Sequence, residues 1–284
     1  MIKVVFFLFG LLFSFGTYSQ KLENSLLWKI SGNGIKKPSY LYGTVHAICE
    51  PSLEPNVHEA MKKTVQLYLE IDMDDPKIDK SMMSMMKMKN GITMSSLVSK
   101  EDFEILDEFL KANTGFSATL LNSVKPALVG SMLTDSLLQC KTKSIEEELM
   151  RISKSQKEEI YGLEGINDQA KIFDLIPYEE QMNDLILTVK DGMSKFKEEF
   201  DKLMKLYNDK DIEGLLTIGQ RNENILSRNE DLFLKKRNQN WIPVISEVAK
   251  YKPTFFGVGA AHLAGENGVI RLLRKEGFTV EAVK

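Results

Sequence analysis

The sequence predicts an α/β fold in which the N- and C-terminal segments form one mixed β-sheet and a large helical insertion lies between them. Short runs rich in β-branched and aromatic residues, which are typical of buried strands, occur at 40–42, 65–71 and 254–258. Between about residues 75 and 250, helical periodicity takes over and strand-like runs almost disappear. The last of these runs is followed by a helical stretch and another strand, an order that favours parallel strands.

The first 19 residues have the pattern of a secretory signal peptide. Lys3 supplies a positive charge, residues 4–15 form an apolar run too short to span a bilayer comfortably, and Thr17-Tyr18-Ser19 offers a small-x-small cleavage site. A retained N-terminal anchor is the alternative. We therefore expect export to a periplasmic or extracellular location, with residues 20–284 as a single domain that includes the insertion. No later segment approaches membrane-spanning length.

The charge balance and the two cysteines indicate which kinds of partner and site to expect. The chain has 37 lysine and arginine residues, 40 aspartate and glutamate residues and a formal net charge of −3, and the two signs are interspersed. Nucleic acid is therefore not an expected partner, because the sequence contains no basic block. The two cysteines, Cys49 and Cys140, favour a disulfide in an oxidising compartment over a metal site. The sequence leaves the oligomeric state open.

The N-terminal segment predicts a hairpin, a helix and a strand, in that order. Two predicted strands, at 25–30 and 40–42, flank Gly32-Asn33-Gly34, a turn sequence typical of β-hairpins. A helix is predicted from Pro55, which suits the first turn, to about Lys63. The strand at 65–71 follows and ends in an acidic cluster, and Glu70 lies close to its end.

The insertion and the C-terminal segment contain further signals. Ser144 and Glu147 form an S-x-x-E capping box, which marks the start of a helix. Residues 159–164 form a short strand-like interruption that we expect to return to the main sheet. A helix at 268–275 and a strand at 278–283 complete the predicted elements.

Two matching corners of the form Gly-x-x-His are the most distinctive feature of the sequence. They are Gly43-Thr44-Val45-His46 and Gly259-Ala260-Ala261-His262, and each directly follows a predicted strand. They use two of the three histidines, and the third, His58, is expected on an exposed helix surface. Ligands of open α/β sheets bind beyond the carboxyl ends of strands, and a glycine lets the backbone turn sharply and approach a ligand closely. We therefore expect His46 and His262 to face one crevice.

Two imidazoles and a carboxylate at one sheet edge point to a divalent metal ion. Three protein ligands and one open position let a bound metal acidify water for hydrolysis. Glu70 is the natural third ligand beside the two corner histidines; alternatively, Glu70 is the general base and Glu164 supplies the ligand. Arg237, predicted to lie where a helical stretch ends, would pair with a carboxylate or hold a substrate carboxylate or a developing oxyanion. Purely structural roles in corners, helix caps and ion pairs are the alternatives for these residues.

Five short segments, taken in order, form a recognisable set. They are LWKISG (27–32), YLYGTVH (40–46), YGLE (161–164), RNQNW (237–241) and VGAAHLAGE (258–266). This set resembles the TraB/GumN family, which comprises TraB, PrgY and GumN proteins and includes the Tiki proteases, and the resemblance covers essentially the whole chain after residue 19. One departure is Ala261, where the family pattern leads us to expect glycine; the change stiffens the corner slightly and leaves His262 in place.

The resemblance implies an α/β core interrupted by helices and related to the erythromycin-esterase and ChaN-like folds. It also implies a site formed by the paired Gly-x-x-His motifs and a glutamate, which in the Tiki branch supports metal-dependent peptidase activity, typically with manganese or cobalt. Carried onto this sequence, the metal ligands would be His46, His262 and Glu70. Glu70, Glu164 and Arg237 would then be the catalytic or supporting residues.

The leading functional hypothesis is an exported metal-dependent hydrolase, a peptidase that acts on a peptide or protein substrate with manganese, cobalt or zinc as its cofactor. One alternative is a non-catalytic module in which the histidines hold haem, a metal or a peptide without turnover. Another is a metal-free esterase-like hydrolase, in which one histidine is the general base and Glu70 orients it.

Overall fold

A mixed β-sheet lies at the centre of the fold. The computed structural model covers most of the chain, and the described residues are 21–76, 78, 82, 85–138, 140–221 and 224–284. The predicted signal peptide, residues 1–19, lies outside them. The strands of the described part are β1 (Leu27–Gly32), β2 (Ser39–Thr44), β3 (Gln66–Leu69), β4 (Glu159–Gly162), β5 (Phe255–Gly259) and β6 (Phe278–Ala282). Their order in the sheet is β4-β3-β5-β2-β1-β6.

Parallel pairing brings the two predicted corners side by side. β2 and β5 are adjacent and parallel, with Thr44 opposite Gly259 at their carboxyl ends. β3 is parallel to β5 on its other side, and β4 is parallel to β3. β1 pairs antiparallel with β2, as predicted for the hairpin, and also with β6. The prediction of a mixed sheet built from N- and C-terminal segments, to which the strand at 159–162 returns, is therefore confirmed.

The position of β6 differs from the prediction. The β-α-β order of the C-terminal segment favoured direct parallel pairing of β5 with the strand that follows it. β6 does run in the same direction as β5, but β2 and β1 lie between them. The physical reason is that β5 already has β2 on one side and β3 on the other, so its hydrogen-bonding edges are occupied.

Helices dominate the stretch between β3 and β5, where β4 is the one strand among the described residues. The helices of the described part are α1 (Pro55–Met61), α2 (Met94–Leu97), α3 (Lys100–Thr114), α4 (Pro126–Leu138), α5 (Ile145–Ser155), α6 (Ile166–Leu175), α7 (Tyr178–Lys190), α8 (Ser194–Asn208), α9 (Ile212–Arg221), α10 (Ile225–Arg228), α11 (Lys236–Tyr251) and α12 (Val269–Lys275). In that same part, we find no helix with the length and apolar character needed to cross a membrane. The predicted helical character of this stretch is confirmed.

Two apolar clusters stabilise the fold. The larger one surrounds the sheet, and Trp28, Phe255 and Phe256 in it are fully buried. The second packs α3, α4 and α7 together and includes the fully buried Leu106 and Leu133. Burial of each such side chain contributes about 1.5–3 kcal/mol before entropy is counted. The carboxyl ends of β2, β3 and β5 are therefore held by a rigid core, which fixes the residues that follow them.

The predicted capping box fixes the start of α5. Ser144 Oγ accepts a hydrogen bond of 3.0 Å from Glu147 N, and the Glu147 carboxylate accepts one of 3.4 Å from Ser144 N. The first turn of α5 contains three glutamates, which the positive end of the helix dipole stabilises. One of them, Glu146, is buried and points into the protein. The capping box thus places a buried carboxylate at a defined position.

The location of Arg237 corrects a second prediction. Arg237 was expected where a helical stretch ends, but it lies in the first turn of α11, which continues to Tyr251. A π-helical turn at Asp231–Lys235 leads directly into this helix. Pro243 lies inside α11 and removes one backbone hydrogen bond, but the buried side chain of Trp241 and its neighbours on the same face offset this loss.

A disulfide joins Cys49 to Cys140, as the sequence favoured. Beside it, Ile48 N donates to Lys143 O at 3.0 Å and Lys143 N donates to Ile48 O at 2.9 Å. These bonds connect the loop that follows His46 to the segment that leads into α5. The loop and the start of α5 are therefore fixed relative to each other.

Candidate functional site

The carboxyl ends of β2, β3 and β5 bring together three of the residues identified in the sequence. His46 follows β2, Glu70 follows β3, and His262 ends a 3₁₀ turn, Ala260–His262, that follows β5. A methyl group built on Gly259 would lie 3.3 Å from Glu70 Oε1, 3.6 Å from His262 Cδ2 and 3.7 Å from His46 Nε2. The three side chains therefore surround one point beside Gly259.

The glycines of the two corners provide space. Neither Gly43 nor Gly259 has a positive φ, so the backbone conformation at these two positions does not itself require glycine. A methyl group on Gly43 would lie 2.8 Å from Leu263 Cδ1 and 3.1 Å from Ala260 Cα, too close for packing without a shift. Gly43 therefore lets the two corners pack against each other, and Gly259 leaves room between the site side chains.

His262 is buried, and contacts at both ring nitrogens fix its orientation. Its Nδ1 lies 2.6 Å from Asn238 Oδ1, and its Nε2 lies 3.1 Å from Arg237 Nη1. The ring packs against Trp241, with ring centroids 4.5 Å apart. Burial disfavours the charged ring and lowers the pKa of His262 to about 3. The attraction of the Glu70 carboxylate acts in the opposite direction but is weaker. The ring is therefore neutral near pH 7.

His46 lies on the solvent side of the site. Its side chain is 67% exposed, and its Nδ1 lies 2.8 Å from Glu146 Oε1. Thr44 Oγ1 donates a hydrogen bond of 2.5 Å to the same oxygen. Desolvation opposes the charged ring, but the hydrogen bond and negative charge of Glu146 outweigh it and raise the pKa of His46 above its ordinary value. Solvent around the exposed imidazole screens this attraction, so the main effect of Glu146 is to orient the ring.

Glu70 and Glu164 share the guanidinium of Arg237. Nη2 of Arg237 lies 2.5 Å from Glu70 Oε2 and 2.5 Å from Glu164 Oε1, and Nε donates to Glu164 Oε1 at 2.8 Å. Gln169 Nε2 donates to Glu70 Oε2 at 3.2 Å and to Glu164 Oε1 at 3.0 Å. Gly259 N donates to Glu70 Oε1 at 2.8 Å. The three charged side chains are only 9–11% exposed, and each has an opposite charge as a partner.

Stability is expected to fall in acid because of Glu70 and His262. Burial raises the pKa of Glu70, but the charge that His262 acquires in acid, together with the charges of Arg237 and His46, outweighs it and holds the pKa at about 2. The ordinary values are 4.5 for glutamate and 6.5 for histidine, so the unfolded chain binds protons more readily than the folded one. The contribution of these two groups to the free energy of unfolding should therefore be fully present above pH 6.5 and fall progressively between pH 6.5 and about pH 2.

Urea unfolding measured over this pH range checks the prediction. In Glu70→Gln the part of the decrease that lies below pH 4.5 should be smaller, because that group no longer titrates. A free energy of unfolding that does not change between neutral pH and pH 4 would contradict an ionised Glu70 and a neutral His262.

Three residues of the site were not identified from the sequence, namely Glu146, Asn238 and Gln169. The capping box locates the first turn of α5, but it does not distinguish Glu146 from its two neighbouring glutamates. Asn238 directly follows Arg237 in the segment RNQNW, but its residue type alone did not indicate that it contacts a histidine. Gln169 lies in α6 without any motif. All three lie on helices, and their direction toward the site depends on how the helices pack.

The types of ligand atom fit a divalent metal ion. His46 and His262 each have Nδ1 against a protein oxygen, as metal-binding histidines commonly do, with Nε2 on the side of Glu70. Yet among the residues that the structure describes, no set of three or more histidine, cysteine, aspartate or glutamate side chains is arranged to hold an ion. Arg237 also makes a contact that an ion would have to replace, because its Nη1 lies against His262 Nε2.

Several named proteins are similar to this chain. Metalloprotease TIKI2 of Danio rerio is 22% identical and matches 93% of this chain and 62% of its own length. Metalloprotease TIKI1 of Homo sapiens is 24% identical and matches 91% of this chain and 62% of its own length. The metalloprotease TIKI homolog of Nematostella vectensis is 21% identical and matches 93% of this chain and 68% of its own length. The chain thus spans about three fifths of the length of the two vertebrate relatives.

No solved structure matches the chain at a significant level, so the expected likeness to erythromycin-esterase and ChaN-like folds stays a prediction. The sequence model of one family does match, from residue 26 to residue 282. This region includes every strand and helix described above together with both corners. The chain therefore belongs to the TraB/PrgY/gumN family.

Proposed function

We propose that this protein is an exported metal-dependent hydrolase, a peptidase, with its site at the carboxyl ends of β2, β3 and β5. The observation that carries the proposal is the convergence of His46 Nε2, His262 and Glu70 Oε1 beside Gly259. Two imidazoles and one carboxylate are a ligand set of known catalytic metal sites. The relatives named metalloprotease TIKI support a peptide or protein as the substrate.

His46, His262 and Glu70 would hold the ion, which we expect to be manganese, cobalt or zinc. When bound, such an ion polarises a carbonyl group and lowers the pKa of a water molecule. Glu146 and Asn238 orient the two imidazoles through their Nδ1 atoms, so that little reorganisation is needed at Nε2 of His46.

Glu164 and Arg237 would handle charge and protons beside these ligands. Glu164 Oε1 accepts hydrogen bonds from Arg237 and Gln169, whereas Glu70 Oε1 lies 3.7 Å from His262 Nε2. Of the two assignments that the sequence left open, we therefore propose Glu70 as the ligand. Glu164 then accepts a proton through its other oxygen, Oε2, and Arg237 stabilises negative charge that develops in the substrate.

Export is supported by the disulfide between Cys49 and Cys140, because such bonds form and persist mainly in oxidising compartments. It agrees with the signal peptide proposed for residues 1–19. Fractionation of cells that produce the full chain, followed by N-terminal sequencing, would test both points. A protein found in the cytosol with Met1 retained would contradict them.

The proposed function is tested by metal analysis combined with a peptide-library cleavage screen. Protein supplied in turn with Mn²⁺, Co²⁺ or Zn²⁺ should contain a near-stoichiometric ion and cleave some peptides until a chelator is added. His46→Ala should lose both properties, whereas His58→Ala, which changes the histidine on α1, should retain both. No bound ion under any supply, with activity intact in His46→Ala, would overturn the proposal. Chelator-resistant cleavage would favour a metal-free hydrolase instead.

Gly259→Ala is expected to impair this activity without unfolding the protein. The added methyl group would lie 3.3–3.7 Å from Glu70, His262 and His46, so these side chains must shift by a few tenths of an ångström. Because catalysis depends on exact placement, we expect kcat/KM to fall about 10- to 100-fold. Steady-state kinetics and circular dichroism check this.

The matched control is Gly130→Ala in α4, where the methyl group would meet only Leu185 Cδ1 at 3.9 Å. This variant should keep full activity and gain slightly in helix stability. If Gly259→Ala is as active as Gly130→Ala, the space beside Gly259 is not part of the site.

A further inference from the structure

We propose that Arg237 is an internal competitor of the metal ion. Its guanidinium contacts Nε2 of His262, a proposed ligand atom, and the second carboxylate oxygen of Glu70, Oε2, and an ion binds only after Arg237 has withdrawn from His262. The proposal rests on the function proposed above, and it concerns how one site changes between a metal-free and a metal-bound form.

The hydrogen bonds of Asn238 determine which nitrogen of His262 carries the proton. Asn238 Nδ2 donates to His262 O at 3.3 Å and to Asn267 O at 2.8 Å, so the amide nitrogen must face these two carbonyls. Its oxygen, Oδ1, therefore faces His262 Nδ1, 2.6 Å away. An oxygen only accepts, so Nδ1 carries the hydrogen. In the neutral ring Nε2 is then the atom with the lone pair.

Arg237 already uses that lone pair. Its Nη1 lies 3.1 Å from His262 Nε2 and donates to it, and a lone pair that accepts a proton donor is not available to an ion. The other donors of the guanidinium are also paired, Nη1 with Phe233 O, Nη2 with Glu70 and Glu164, and Nε with Glu164. Each nitrogen of the guanidinium therefore has a protein partner, and this side-chain cation lies against the atom of His262 that an ion would need.

Electrostatic repulsion also favours competition between Arg237 and a metal ion. The guanidinium is 2.5 Å from Glu70 Oε2, so a divalent ion at Glu70 would be placed close to a like charge in a buried environment. Withdrawal from His262 need not expose Arg237, because Glu164 and Phe233 O would still hold it and Trp241 lies under it at 4.8 Å. The two forms therefore differ by a short movement of one side chain.

Removal of Arg237 should change metal affinity in opposite directions for a competitor and for a residue that merely supports the site. If Arg237 merely orients Glu70 for the ion, its removal weakens metal binding. If Arg237 competes with the ion, its removal strengthens metal binding, because the binding-competent form no longer has to be populated first. It should also destabilise the metal-free protein, because Glu70 and Glu164 would lose their buried cation.

The test is isothermal titration of the metal-free full chain with Mn²⁺ alone and with Zn²⁺ alone, combined with thermal unfolding. The variants are wild type, Arg237→Gln and, as a matched control, Arg228→Gln, which removes an arginine that bridges Glu180 and Asp184 away from the site. Arg237→Gln should bind about tenfold more tightly than wild type or the control. Its metal-free Tm should be lower, and metal should raise its Tm more than that of wild type.

The outcomes separate the two proposals. Tighter binding by Arg237→Gln supports competition, including the case in which only the variant binds. Binding by both proteins, with the variant equal or weaker, overturns the competitor role and leaves the metal site standing. If neither protein binds an ion, both proposals fail. Should Arg237→Gln not fold, the double variant Arg237→Gln/Glu164→Gln removes the buried pair together, and the same comparison of affinities decides.

Discussion

Glu70→Gln is expected to reduce kcat/KM by about 10²- to 10⁴-fold, because the variant loses the charge of a proposed ligand, which is a buried anion at the centre of the site. Glutamine matches the shape of glutamate but not its hydrogen bonding. Glu70 Oε1 accepts from Gly259 N, and Oε2 accepts from Arg237 and Gln169. Either orientation of the amide therefore sets a donor against a donor, which should lower the free energy of unfolding by about 1–3 kcal/mol.

Steady-state kinetics, metal content and urea unfolding of the purified variant measure these effects. The control is Glu281→Gln on β6, which removes a carboxylate whose partner, Lys29 Nζ, lies 3.0 Å away on the exposed surface. It should change neither activity nor stability appreciably. Activity of Glu70→Gln within a few-fold of wild type would show that catalysis does not depend on the Glu70 carboxylate.

The double variant Cys49→Ala/Cys140→Ala is expected to be less stable than wild type by about 2–5 kcal/mol. The disulfide closes a long loop, with a sequence separation of 91 residues, and so restricts the unfolded chain strongly. It also fixes the loop after His46 to the start of α5, where Glu146 orients the imidazole. We therefore expect weaker metal binding in addition to lower stability.

Thermal unfolding with and without a reducing agent checks the prediction in the wild-type protein. Reduction should lower the Tm of wild type toward that of the double variant, and it should leave the double variant unchanged. Equal Tm values for oxidised and reduced wild type would show that the bond does not stabilise the fold. Titration with Mn²⁺ under both conditions then reports on His46 separately.

The sequence predicted the strand-end residues of the site well because a local pattern was sufficient for each of them. His46, Glu70 and His262 all follow runs that have the pattern of buried strands. Because ligands of α/β sheets bind at the carboxyl ends of strands, residues at these ends were expected to lie together. The adjacency of β2 and β5 was a long-range assumption, and the parallel pairing of Thr44 with Gly259 confirms it. The chemical roles of these residues stay predictions until they are measured.

The helical half of the site could not be predicted in the same way. Which face of a helix turns inward depends on what packs against it, so Glu146 and Asn238 gave no signal of their own. The predicted pairing of β6 with β5 was wrong for a related reason, because strand pairing depends on which strand edges remain free. Arg237 was identified from its segment, but its contacts with two carboxylates and an imidazole require the folded arrangement.

The parallel pairing of β2 with β5 also determines when the site can form during synthesis. A nascent chain that has left the ribosome only as far as α11 contains His46, Glu70, Glu164 and Arg237 but neither Gly259 nor His262. Contacts between residues so distant in sequence form late and slowly. The three side chains beside Gly259 can therefore come together only after β5 has been made and inserted between β2 and β3.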